Sequence, residues 1–100
     1  METIQSINLI SINPKIRSGR PCIAGTGLRV TDVAIASLFH DKTPDDIASG
    51  YDVSLAQVYA ALAYYYQHKT ELDTDIQAQI KKARQLKENR VGSRRDSLLP

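Results

Sequence analysis

The chain has 100 residues, 42% of them apolar and 24% charged, with a formal net charge of +2. That size fits one small domain whose modest core is often completed by a partner subunit, so a homo-oligomer is expected, and the composition excludes a disordered chain. The single cysteine, Cys22, excludes an intramolecular disulfide and a cysteine-rich zinc site, no apolar run nears the roughly 18 residues of a membrane span, and Met1–Ile10 lacks the features of a signal peptide, so a cytoplasmic protein is expected.

The net charge is too small to argue for nucleic acid, but its order along the chain is uneven. Lys15, Arg17, Arg20 and Arg29 lie in a stretch without acids, and Lys81, Lys82, Arg84, Lys87, Arg90, Arg94 and Arg95 lie in another interrupted only by Glu88. Between them stand Asp32, Asp41, Asp45, Asp46, Asp52, Glu71, Asp73 and Asp75. Two basic ends flank an acidic centre.

Ile7, Leu9 and Ile12 ahead of Asn13-Pro14 predict a short strand stopped by a turn. Gly19, Pro21, Gly25 and Gly27 then punctuate Cys22-Ile23-Ala24 and Leu28-Arg29-Val30, so residues 5–30 read as a small β-ribbon of two or three short strands. From Thr31 the pattern turns helical. Thr31 is the expected cap of a helix to about Asp41, with Val33, Ala34, Leu38 and Phe39 on its apolar face.

Thr43-Pro44-Asp45-Asp46 is a second start, with a capping threonine, proline at the first helical position and acids near the positive helix end; the helix ends near Gly50. Ser54 and Gln57 have capping-box spacing and open a third helix to about His68, with Leu55, Val58, Tyr59, Leu62 and Tyr66 expected on its inward face. Thr70 or Thr74 caps a fourth helix to about Lys87, whose apolar stripe of Ile76, Ile80, Ala83 and Leu86 is narrow enough to be a seam against another chain. Arg90–Pro100 reads as a basic, loose end.

Two short helices joined by a tight turn, with a third before them, make the arrangement of a helix-turn-helix DNA reader. Ile47 and Ala48 supply the close crossing, Tyr51 and Val53 frame the turn, and Val58 anchors the second helix; Asp52 stands where many such motifs have glycine. On the reading helix, Ser54, Ala56, Gln57, Ala60, Ala61 and Tyr64 are the candidate contacts. Gln57 suits adenine, the alanines permit close approach, and Ser54 with backbone N–H groups suits a phosphate. Lys15, Arg17, Arg20 and Arg29 of the ribbon are candidate phosphate contacts.

The competing reading makes the same alanine-rich face and Tyr64-Tyr65-Tyr66 a helix-packing or dimer surface on an interaction module that does not read DNA. Enzymatic readings fare worse. Cys22 has no nearby histidine in sequence, His40 and His68 are a helical unit apart, Asp45-Asp46 is most simply a helix start, and the glycines of residues 19–27 lack the lysine ending of a phosphate-binding loop. No metal, cofactor or small-molecule substrate is expected.

The runs Ile12-Asn13-Pro14, Ser18-Gly19-Arg20-Pro21-Cys22-Ile23-Ala24-Gly25-Thr26, Val30, Thr43-Pro44-Asp45-Asp46-Ile47 and Ser54–Tyr65 resemble the bacterial family catalogued as domain of unknown function 433, over roughly residues 7–69. The resemblance implies a winged or homeodomain-like helix-turn-helix protein, an antitoxin of the VapB type that binds DNA at its own promoter and a PIN-like ribonuclease toxin. Where the family commonly has arginine after glycine-threonine and proline two residues later, this chain has Gly27 and Arg29, which moves the basic group by two positions. Arg29 thereby becomes the candidate phosphate contact.

Residues 70–100 lie outside the resemblance. Antitoxins of this general kind often cover a toxin with a tail, and nuclease sites of the PIN type are acidic, so Ile76, Ile80 and Leu86 with Arg84, Lys87, Arg90, Arg94 and Arg95 are the candidate partner-binding residues; the alternative is a solvated helix face. The expected architecture is mainly α: a short N-terminal β-ribbon, a helix-turn-helix three-helix core within residues 1–69, and a C-terminal amphipathic helix within residues 70–100.

Overall fold

The computed structural model describes the backbone of residues 1–98 and the side chains of residues 1–89. It is mainly helical, with a two-stranded antiparallel sheet ahead of four helices. Strand β1 is Ile10–Ser11 and β2 is Cys22–Ile23, paired in the register Ile10 to Ile23 and Ser11 to Cys22; Arg29 bridges the other edge of β2 at Cys22. The helices are α1 (Val30–Phe39), α2 (Pro44–Tyr51), α3 (Leu55–Gln67) and α4 (Lys69–Leu98). Contacts divide the chain into two units, Met1–Lys69 and the residues from Thr70 on.

The ribbon is smaller than the spacing of Ile7, Leu9 and Ile12 predicts, because main-chain turns take up most of its length. A one-turn 3-10 helix, Arg17–Gly19, follows the Asn13–Ile16 turn, and Arg17, Ser18 and Gly19 all take positive φ (49°, 58° and 78°). Gly25 takes φ 78° at the third place of a turn closed by Thr26 N–H donating to Ile23 C=O at 3.0 Å. That place in a turn demands a left-handed backbone, which glycine adopts without steric cost. The Thr26 hydroxyl locks the turn, donating to Ile23 C=O (2.8 Å) and accepting from Leu28 N–H (3.1 Å). Val30 N–H donates to Pro21 C=O, so the glycine-arginine-proline and alanine-glycine-threonine runs together tie the ribbon to the start of α1.

Helix α1 starts earlier than expected. Its N-cap is Arg29 and Thr31 is buried inside the first turn, so the expected threonine cap is corrected: Asp32 does the capping, its carboxylate accepting from Arg29 N–H at 3.0 Å. A carboxylate in the first turn also faces the positive end of the helix. Helices α1, α2 and α3 pack on one another and both strands pack on α3. The core of this unit contains Ile23, Val30, Val33, Ala34, Ile47, Val58, Ala61 and Tyr65, all essentially inaccessible. Burying side chains of this size stabilises by about 1.5–3 kcal/mol each for the larger ones.

In the second unit α4 runs to Leu98, past the expected end at Lys87. It also begins before either threonine proposed as its cap: the Thr74 hydroxyl donates back to Thr70 C=O within the helix, at 3.0 Å. Gln79 donates to the Asp75 carboxylate one turn earlier, at 2.9 Å. Among the described residues, no helix is long and apolar enough to cross a membrane.

Candidate functional site

The unit α2–turn–α3 is built from two reciprocal caps. Thr43 Oγ1 accepts from Asp46 N–H while Asp46 Oδ2 accepts from Thr43 N–H, both at 3.1 Å, and Pro44 occupies the first helical position. Ser54 Oγ accepts from Gln57 N–H at 3.1 Å while Gln57 Oε1 accepts from Ser54 N–H at 2.7 Å. These are the starts that the sequence spacing predicts, and each satisfies two backbone donors that a helix leaves unpaired.

Three residues, Asp52, Val53 and Ser54, join the helices. Asp52 is left-handed (φ 56°, ψ 48°), and its N–H and that of Val53 donate to Ala48 C=O. The position therefore needs the backbone that glycine supplies in many such turns, and aspartate is among the few other residues that tolerate it. The departure from glycine leaves the turn intact.

The rotation of α3 differs from expectation. Val58, Ala61 and Tyr65 face the core, whereas Leu55, Tyr59 and Tyr66, expected inward, are 41%, 55% and 60% exposed. Ala61, expected in a DNA groove, is fully buried and offers no surface. The remaining candidates separate. Ser54 is exposed at the cap, Gln57 is half-buried with its amide oxygen engaged by Ser54, and Ala60 and Tyr64 are half-buried. The Tyr64 ring stacks on His68 at 4.1 Å and 20°, and His68 Nδ1 lies 3.0 Å from Tyr64 C=O. Ala56 and Ala63 join Leu55, Tyr59 and Tyr66 on the outward face. Tyr59 is thus a candidate contact that the sequence pattern assigned to the core.

The basic residues of the ribbon also separate. Lys15 is exposed. Arg29 is tied to Asp32, its Nη2 2.7 Å from Oδ1 with both side chains only 20% exposed, and Arg17 Nη2 approaches the other carboxylate oxygen at 4.0 Å. Asp32 therefore neutralises much of the charge that the sequence assigned to phosphates at these two positions. Arg20 is half-buried. No Lys or Arg occurs between Thr43 and Gln67, so α2 and α3 carry no basic side chain of their own.

Cys22 is buried, its thiol donates to Arg20 C=O at 3.3 Å, and burial pushes its pKa up, which keeps it a protonated core thiol. Among the described residues, no three His, Cys, Asp or Glu side chains converge as metal ligands. Of the candidate partner-binding residues on α4, Ile76 is buried, Ile80 half-buried, and Arg84 and Leu86 exposed. Arg90, Arg94 and Arg95 lie outside the residues whose side chains are described.

Neither a curated protein nor a solved structure matches the chain. The family described as protein of unknown function (DUF433) matches residues 10–65, from β1 through the ribbon turns to the buried end of α3, which is more than half of the sequence. The chain belongs to this DUF433 family.

Proposed function

We propose that the chain is a cytoplasmic, non-enzymatic DNA-binding protein that represses its own promoter as the antitoxin half of a toxin–antitoxin pair. The observation that supports this reading is the doubly capped α2–turn–α3 unit, in which the N-terminal half of α3 exposes Ser54, Leu55, Ala56 and Tyr59. In a helix-turn-helix protein the first turns of the second helix enter the major groove, where small side chains allow approach and Tyr or amide groups meet base edges and phosphates. Gln57 has its amide oxygen engaged in the cap and its side chain half-buried, so it stands behind Tyr59 as a base contact. Lys15 leads the phosphate contacts, with Arg17 and Arg20 beside it in sequence and Arg29 held back by Asp32.

The partner in this reading is a PIN-like ribonuclease, covered by α4 through Leu86, Arg84 and the basic residues beyond, as the family resemblance implies. Truncation before Asp73 that left toxin inhibition intact would dispose of that role for the tail.

Fluorescence anisotropy on the protein's own upstream duplex and on a scrambled duplex, each at about 50 and 200 mM salt, tests the DNA reading, because phosphate contacts weaken steeply over that range. Preference for the native duplex that survives at the higher salt is the expected result. No binding to either duplex sinks it. A second reading, an interaction module with a helix-turn-helix shape, is favoured by one specific observation: α2 and α3 bear Asp45 and Asp46 but no basic residue, while α3 exposes Tyr59 and Tyr66. It predicts self-association or partner binding that is indifferent to salt.

A further inference from the structure

We infer that the segment Thr3–Ser11 is a self-pairing arm through which a second copy of this chain docks, antiparallel, along the open edge of β1 and over the C-terminal half of α3. The inference stands apart from the DNA reading, since it uses neither the α2–α3 turn nor the first turns of α3.

Three features of one surface carry it. First, the sheet is incomplete. β2 lies between β1 and the bridge at Arg29, so β1 is the edge, and the ladder is only two residue pairs long. So short a ladder leaves most of the strand edge unused, and an uncovered strand edge is a template for another strand. Second, the segment leading into β1 belongs to no helix or strand and presents its isoleucines to solvent, Ile4 being 92% and Ile7 77% exposed. Third, a groove of about 420 Å³ lies between this segment and α3, lined by Ile7, Ile10, Ala60, Ala63 and Tyr64 together with Gln5 and Gln67. The alanines leave room for a branched side chain, and the two glutamines in the lining offer amides to the polar main chain of an extended peptide.

The occupant is a second copy because the surface is complementary to itself. It carries both the isoleucines that project and the groove that takes isoleucines. Residues 3–14 contain no ionisable side chain, so two copies laid antiparallel bring no like charges together at any register. A two-fold pairing uses the same patch on both protomers and leaves neither β1 edge open, which closes the assembly at a dimer. With Ile7 on the two-fold axis, Ile4 of each copy lies opposite Ile10 of the other, so the exposed Ile4 meets a residue that lines the groove. Pairs of β-branched residues directly opposite each other are among the favourable cross-strand contacts.

The test uses the full chain. Sedimentation equilibrium from about 1 to 100 µM is expected to show a dimer for the natural sequence and a monomer for Ile7→Lys and for Ile4→Lys, with circular dichroism and thermal unfolding measured at low concentration unchanged, because both side chains are exposed. Ile7→Cys is expected to form an inter-chain disulfide under mild oxidation, since opposed residues on paired strands bring their Cβ atoms close to disulfide distance; Ser18→Cys, in the ribbon loop, is not. A natural chain that remains monomeric throughout, or a dimer that survives Ile7→Lys but is lost with Tyr59→Lys, overturns the proposal, the latter by moving the interface to the outward face of α3.

Discussion

Residues 9–29 and residues 43–67 are held in shape by different means. In the first region the main chain does most of the work: four residues take positive φ, strands are two residues long, and turn hydrogen bonds connect Leu9, Ile23 and Leu28. In the second, side chains set the geometry, through the Thr43–Asp46 and Ser54–Gln57 caps and the buried series Ile47, Val58, Ala61 and Tyr65. One left-handed residue, Asp52, suffices between its helices. The same amino acid therefore has opposite value in the two regions, and substitution can show it.

The largest effect is expected from packing. Ile47→Ala, at a fully buried position of α2, should cost about 2–5 kcal/mol in urea unfolding, whereas Ile12→Ala, 60% exposed in the ribbon, should stay within about 0.5 kcal/mol. Equal effects would mean that the three-helix core does not carry the stability assigned to it. The sharpest contrast comes next. Gly25→Ala forces a Cβ into φ 78° and should destabilise by about 1–2 kcal/mol even though the space around it is open. Gly50→Ala, in a helix with open space and no positive φ, should stabilise by about 0.5–1 kcal/mol.

Removing a cap comes third: Thr43→Ala should lose about 1 kcal/mol, with the loss seen as faster amide exchange in α2 before α3. The smallest effect is a pH dependence. The hydrogen bonds from the Thr43 backbone and hydroxyl neighbourhood hold the Asp46 carboxyl below its ordinary range. Its contribution is complete above the unfolded aspartate value of about 3.9 and is lost as pH falls through the lower folded value. Acid titration of α2 amide exchange should show a loosening below pH ~4 that Asp46→Ala abolishes. A loosening that appears instead near neutral pH would point to another group.

How legible these features are in the sequence follows from the same difference. Both helix starts of residues 43–67 can be read to the residue, because a cap is a local pattern of polar side chains at fixed spacing. The ribbon could be read only as turns, since alternating hydrophobicity has no room to show in two-residue strands. The family resemblance on Gly19–Thr26 singles out residues whose visible role is to shape that backbone. The start of α1 is hard to read in the sequence because Asp32, two residues inside the helix, caps backward onto Arg29, a residue type that is no usual cap.

The face of α3 was the least legible part of the site. Leu55–Tyr66 is apolar nearly all the way round, so the helical period does not choose a side, and packing decides that Tyr65 and Ala61 turn inward while Tyr59 and Tyr66 turn out. That rotation removes Ala61 from the candidate base contacts, half-buries Ala60 and Tyr64, keeps Ala56 exposed and adds Tyr59. Arg29 shows the complementary limit. Its charge is visible in the sequence, but its pairing with Asp32 becomes evident only when the start of α1 folds against the ribbon.

The most direct test of the DNA reading is an amide chemical-shift titration of the full chain with its own upstream duplex. Shifts concentrated at Ser54, Ala56 and Tyr59, with a second group around Lys15, are the predicted result. Saturable binding whose shifts leave the first two turns of α3 untouched would contradict it.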